Sequence, residues 1–185
     1  MAVSKKARKS GARSPSEPDG TAALRFLTEH GVVFSQAAYH HDDAVTDFGA
    51  EAAQALGVPP DRVFKTLVVS PADHTEARGQ FGVVVLPVDR RVAMKAAAAA
   101  LGWKKAALAD AIVAARRTGY VVGGISPFGQ KTPSPTVLDA SALNHGSIYV
   151  SGGRRGLDVE VAPQDLITVL SASVAEISSS PGAHG

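Results

Sequence analysis

Cysteine is absent from all 185 residues, and that gap removes disulfide-framed domains, thiolate zinc sites and enzymes with a cysteine nucleophile. A reducing, cytoplasmic setting is expected. No apolar run approaches the roughly 18 residues a membrane-spanning helix needs. The opening "MAVSKKARKSGARSPSEPDG" has basic residues but no apolar core to make it a signal peptide. Metal-ligand spacing is missing too. His30, His40, His41, His74, His145 and His184 form no H-E-x-x-H or similar pattern, and "HHDD" at 40–43 reads as a solvated loop. Neither a metal nor a cofactor is expected, and no carboxylates are paired for acid/base work.

What is present suits one domain. At 45% hydrophobic content the chain can bury one good core and is too short for two ordinary ones. The formal net charge of +2 hides a segregation. Residues 21–89 hold four Lys/Arg against nine Asp/Glu, residues 90–155 hold ten against two, and residues 156–185 hold none against four. A strongly basic middle third is the footprint expected of a phosphate-rich partner if the fold gathers those side chains on one face.

The patterning alternates between helix and strand. "TAALRFLTEHG" has helical spacing and ends on Gly31, and "DFGAEAAQALG" reads as a helix capped by Asp47 and closed by Gly57 before Pro59 and Pro60. "RVFKTLVVS" and "QFGVVVLPV" are β-branched strands, with "VVFSQAAYH", "SIYVSGG" and "GLDVEVA" as further candidates. "RRVAMKAAAAALG" and "ALADAIVAARRTG" read as helices by propensity, as does "PQDLITVL" with Pro163 in its first turn. The order predicts an α/β fold, with a mixed, partly closed barrel-like sheet and flanking helices.

Three features point to a site. "GYVVGGISPFGQK" gathers glycines around Ser126. It fails as a hydrolase elbow, because Phe128 stands where G-x-S-x-G needs glycine and Pro127 has no N–H for an oxyanion. It fails as a P-loop because Lys131 is displaced by one position. A rigid substrate-binding loop remains, against the plainer alternative of a tight turn after a strand "YVV". Second, Lys65 lies in line with Val63, Leu67 and Val69 on a strand, a costly place for a cation that is neither paired nor used. Third, "IYVSGGRRGLDVEVA" puts Ser151 and Asp158 on either side of a glycine-arginine turn.

Together "FGAEAAQALGV", "FKTLVV", "GYVVGGISPFGQK" and "IYVSGGRRGLDVEVAPQDL" resemble, in order and spacing, the YbaK family of Cys-tRNA(Pro) deacylases, relatives of the editing domain of bacterial prolyl-tRNA synthetases. The resemblance covers residues 21–177 as one editing domain. It leaves residues 1–20 as a disordered basic tail and 178–185 as a flexible C-terminal tail. It implies removal of cysteine from mischarged tRNA(Pro), with prolyl-tRNA synthetase a possible partner. A related deacylase for Ala-tRNA(Pro) or another small mischarged amino acid, and a non-catalytic tRNA-binding or synthetase-docking module, are the alternatives. It also implies roles: Lys65, Gly123, Gly124 and Ser126 at the scissile ester, with Tyr39, Thr66, Pro127, Ser151 and Asp158 holding substrate. In that family the substrate's own thiol is thought to attack its carbonyl. Thr132 departs from the family pattern, since many relatives have a basic residue there.

Overall fold

The computed structural model describes residues 20–72 and 79–179; the outer parts of both expected tails, 1–19 and 180–185, lie outside the described residues. In chain order the helices are α1 (Ala22–Glu29), α2 (Phe48–Leu56), α3 (Met94–Ala100), α4 (Ala111–Thr118) and α5 (Pro163–Leu170). The longer strands are β1 (Phe34–Ala38), β2 (Val63–Pro71), β3 (Gly82–Pro87), β6 (Thr136–Asp139), β7 (Ile148–Arg154) and β8 (Leu157–Val161). The short ones are β4 (Arg91–Val92), β5 (Ala106–Leu108), β9 (Ser173–Ala175) and β10 (Ser178–Ser179). Ser178 and Ser179 pair with β4, so the ordered body extends two residues into the segment expected to be a tail.

Local chemistry fixes the helix ends. The Asp47 carboxylate accepts from Ala50 N–H to start α2, and Gly57 at φ 65° ends it. The Asp110 carboxylate accepts from Ile112 and Val113 N–H, and Gly119 closes α4. α4 therefore starts later than "ALADAIVAARRTG" suggests, because Ala106–Leu108 is drawn into β5 against β2. Arg91–Val92 likewise forms β4 ahead of α3.

The main sheet runs β1-β8-β7-β2-β3-β6-β9, with β5 attached to β2. It is mixed: β2 with β7, β3 with β6 and β6 with β9 are parallel, and the remaining pairs are antiparallel. On one face Phe64, Val83, Val85, Leu138, Val150 and Val159 pack beneath Leu24 and Leu27 of α1, Leu166 of α5 and Phe128. On the other face α3 covers one end, where Ala97 meets Val69, Val84 and Leu86. α2 covers the opposite end, where Ala52 and Ala53 meet Val63 beside Tyr39 and Tyr149. Alternation along the strands produces both faces from the same residues.

One detail of the pairing positions everything that follows. β3 runs along one edge of β2 in unbroken register from Phe64 to Val69. The other edge is divided: β7 pairs only with Val63 and Phe64, and β5 only with Val69 to Pro71. Between them residues 65–68 have no strand pairing on that edge. The sheet has a rift at its centre.

Candidate active site

A cavity of about 410 Å³ occupies the rift. Lys65, Thr66, Leu67 and Val68 line it, and because β2 is unpaired there, side chains from both of its faces reach the opening. Val63 O accepts from Val88 N–H on the β3 side, and Val68 O accepts from Ala109 N–H on the β5 side. By alternation the N–H and C=O of Thr66 point towards the rift. The Thr66 hydroxyl is buried and has no hydrogen-bond partner among the described residues.

Register brings the polar wall together. Val63 pairs with Tyr149, and Ser151 and Ala37 both pair with Asp158. Lys65, Ser151, Asp158 and Tyr39, two residues beyond Ala37, therefore project from the same face and line the same cavity. α2 roofs them with Phe48 and Gly49, and the start of α4 adds Ala109 and Ala111. Two helix N-termini thus open onto the cavity, each already capped by a carboxylate, Asp47 on α2 and Asp110 on α4.

The Lys65 ammonium donates to Val88 O at 3.2 Å and Arg90 O at 2.5 Å, which leaves one of its three donors. Half-burial depresses its pKa, opposed by Asp47 and Asp89. Asp158 is 6% exposed and accepts no hydrogen bond among the described residues. Burial pushes its carboxyl up to about 6. Burial, followed by the nearby Asp158 and Glu51, also raises the Tyr39 hydroxyl well above its ordinary value. Ser151 Oγ accepts from Gly153 N–H at 3.2 Å.

The glycine loop touches this site by one end only. Residues 120–122 are not a strand; Gly124 N–H donates to Val121 O, closing a turn. Gly123, at φ +84°, lines the cavity, and a Cβ there would lie 2.8 Å from the Phe48 ring. At Gly124 a Cβ would meet the Arg154 backbone at 2.9 Å, so the loop packs directly on the β7–β8 turn. Gly124, Ser126 and Pro127 are buried behind the cavity wall. Ser126 Oγ accepts from Phe128 N–H at 3.2 Å, and Ser126 O accepts from the Gln130 side chain at 2.9 Å. Lys65, Thr66, Tyr39, Gly123, Ser151 and Asp158 are gathered at the cavity; Gly124, Ser126 and Pro127 support it from behind.

Sequence patterning missed two elements. Phe48, expected only to begin a helix, roofs the cavity with the Arg155 guanidinium 5.0 Å over its ring. His41 is not solvated as expected: its side chain is 11% exposed, and Nδ1 lies 2.7 Å from a Glu51 carboxylate oxygen. Glu51 also accepts from Asp42 N–H, and both contacts hold its pKa below the ordinary value. The pair ties the loop after β1 to α2. Nothing in the local spacing of "HHDD" signals this. Among the described residues no group of three or more His, Asp or Glu is placed to hold a metal, and no helix is long and apolar enough to cross a membrane.

Comparison with known proteins fits this architecture. The model of the aminoacyl-tRNA editing domain matches residues 43–169. An Enterococcus faecalis protein, EbsC, provisionally named a Cys-tRNA(Pro)/Cys-tRNA(Cys) deacylase, is 32% identical over 158 residues, covering 85% of this chain and 92% of its own. A solved hypothetical protein superposes with a TM-score of 0.75 at 28% identity, covering 86% of this chain and all of its own. A protein provisionally described as a trans-editing enzyme for prolyl-tRNA synthetase superposes with a TM-score of 0.70 at 23% identity, covering 91% of this chain and 99% of its own, and supports the fold. The mixed sheet, the rift and these matches lead to one assignment: the chain belongs to the aminoacyl-tRNA editing domain family, in its YbaK branch.

Proposed function

We propose that the rift binds the 3′-terminal aminoacyl-adenosine of a mischarged tRNA and releases the amino acid, with cysteine on tRNA(Pro) as the preferred substrate. The observation that carries the chemistry is a cavity rich in positioning groups and without a paired nucleophile and base. Among the described residues no imidazole lies on Ser151 and His41 is held by Glu51, and cysteine is absent from the sequence. A serine hydroxyl is a weak nucleophile unless such a base is beside it. The provisional name of EbsC supports the choice of cysteine.

A cysteinyl ester brings its own nucleophile. Its sulfur attacks its carbonyl carbon, the bond to the ribose 3′ oxygen breaks, and the thiol proton ends on that oxygen, releasing a cyclic thioester. The protein's part is geometric and electrostatic. The thiol and carbonyl are already in one molecule, so the reaction is unimolecular from the start and the protein has only to hold the side chain in the rotamer that brings sulfur to the carbonyl carbon. The remaining Lys65 donor and Thr66 N–H stabilise the carbonyl oxygen as charge grows on it. Arg154 and Arg155, exposed on the turn behind Gly124, are placed to meet backbone phosphates.

The test is deacylation of Cys-tRNA(Pro), Ala-tRNA(Pro) and Ser-tRNA(Cys) by the purified chain, with thiol trapping of the released product. Rapid cleavage of the cysteinyl ester alone, with a cyclic thioester trapped, is expected. Equal rates on the alanyl ester would overturn thiol assistance, and an acyl-enzyme at Ser151 or Ser126 would overturn the whole mechanism.

A further inference from the structure

Among the groups lining the rift, Asp158 alone is nearly fully buried, acidic and without a partner. Asp47, the other carboxylate on the cavity wall, caps α2. The cations nearby are engaged elsewhere. Lys65 donates to Val88 O and Arg90 O on the β3 side, and Arg155 donates to Val122 O and lies over Phe48. From β1, Tyr39 brings a hydroxyl that stays neutral, and from β7 Ser151 brings one that accepts from Gly153 N–H. From α2, Glu51 is committed to His41 and Asp42. The shift at Asp158 arises from burial alone, with no neighbouring cation opposing it. A buried, unpaired carboxylate is costly to the folded protein and marks a site whose counter-ion arrives with the ligand.

Resting on the reading of the rift as an aminoacyl-ester site, we infer that the Asp158 carboxylate receives the α-ammonium of the bound aminoacyl group and so restricts the site to esters of free amino acids. A primary ammonium is the one cation such a ligand carries, and it is small enough to reach a carboxylate at the cavity wall. A metal ion would need further ligands, and the described residues offer no such cluster. Besides selecting its substrate class, the ion pair fixes the Cα of the substrate, and with it the direction from which a side-chain thiol meets the carbonyl. An N-acylated aminoacyl-tRNA has no ammonium, leaves the carboxylate unpaired and is rejected.

Turnover of Cys-tRNA(Pro) and of its N-acetyl derivative, whose thiol remains free, separates the outcomes. Wild type is expected to favour the free amine by on the order of a hundredfold in kcat/KM, the usual consequence of truncating one side of a buried ion pair. Asp158→Asn, nearly isosteric, is expected to lose that preference, the free-amine and N-acetyl substrates then being cleaved at similar rates. A measurement on wild type alone guards against misfolding of the variant. Calorimetry with a non-hydrolysable amide-linked cysteinyl-adenosine should show binding that weakens as pH falls from 7.5 to 5, as the carboxyl takes up a proton. The N-acetyl compound should bind weakly and without that slope. Equal cleavage or equal binding of the free and N-acetylated forms overturns the inference and spares the deacylase reading. Full activity of Asp158→Asn, with discrimination intact, makes the group a neutral hydrogen-bond donor and also overturns it. No cleavage and no binding of either form overturns the deacylase reading and this inference together.

Discussion

The two edges of β2 carry the same residues to different ends. Along the β3 edge the ladder is continuous and the paired side chains are buried; along the other, β7 and β5 take the two ends and leave residues 65–68 facing a cavity. Lys65 and its cross-strand partner Leu86 are neighbours on one face, yet Leu86 is fully buried in the apolar cluster beneath α3 while Lys65 reaches the rift. The comparison teaches that stability and chemistry here divide by edge, not by segment. A site within a sheet needs only that two neighbouring strands leave a third at different points.

Substitution at this pair tests the division most strongly. Lys65→Ala is expected to reduce kcat/KM by a hundredfold or more, and also to cost about 1–3 kcal/mol of stability because the carbonyls of Val88 and Arg90 lose their donor. Leu86→Ala should do the reverse, losing about 2–5 kcal/mol in a denaturant melt with kcat/KM of the folded fraction retained. If both variants lose activity and stability in proportion, the edges are not separate.

Asp158→Asn sharpens the comparison through pH. A carboxyl raised on folding from its ordinary 3.8 to about 6 binds its proton more tightly in the folded state. Its favourable contribution is complete below about pH 4 and is lost as pH rises through 6, leaving a penalty of about 3 kcal/mol at pH 7. The variant should therefore melt higher than wild type at pH 7 and lose the stability slope between pH 4 and 6. Identical slopes would show the carboxyl to be solvated.

Smaller effects are expected behind the wall and at the rim. Ser126→Ala removes the acceptor for Phe128 N–H and should cost about 1 kcal/mol with most activity kept, which a melt and a turnover assay measure together. Replacing Arg154 and Arg155 by Ala should weaken tRNA binding modestly and flatten its salt dependence by up to about two phosphate contacts, read as the slope of log affinity on log salt. An unchanged slope would remove the turn from the tRNA path.

The parts of the fold legible in sequence were those with local causes. Asp47 and Gly57 delimit α2, and the β-branched runs of β2 and β3 stand out because both of their faces are buried. Lys65 was legible as a cation in an apolar line, although its anchoring to the β3–β4 turn was not. What escaped depends on distant partners. Ala107 and Leu108 read as the start of a helix and become strand because β2 offers them an edge. Tyr120–Val122 reads as strand and becomes a turn between Gly119 and Gly123. The retreat of Ser126 behind the wall, the burial of His41 on Glu51 and the rift itself follow from tertiary packing that spacing does not encode.

The pairing of β1 with β8 sets Phe34 against Val161 and Ala37 against Asp158. On the ribosome, where the chain emerges from its N-terminus, β1 must wait with both edges unpaired until almost the whole domain has left the exit tunnel. Contacts of such sequence separation form late and slowly. Lys65 and Thr66 emerge early, but the wall opposite them is among the last segments made, so a nascent or prematurely terminated chain ending before residue 157 has half a pocket and cannot hold an aminoacyl ester in it.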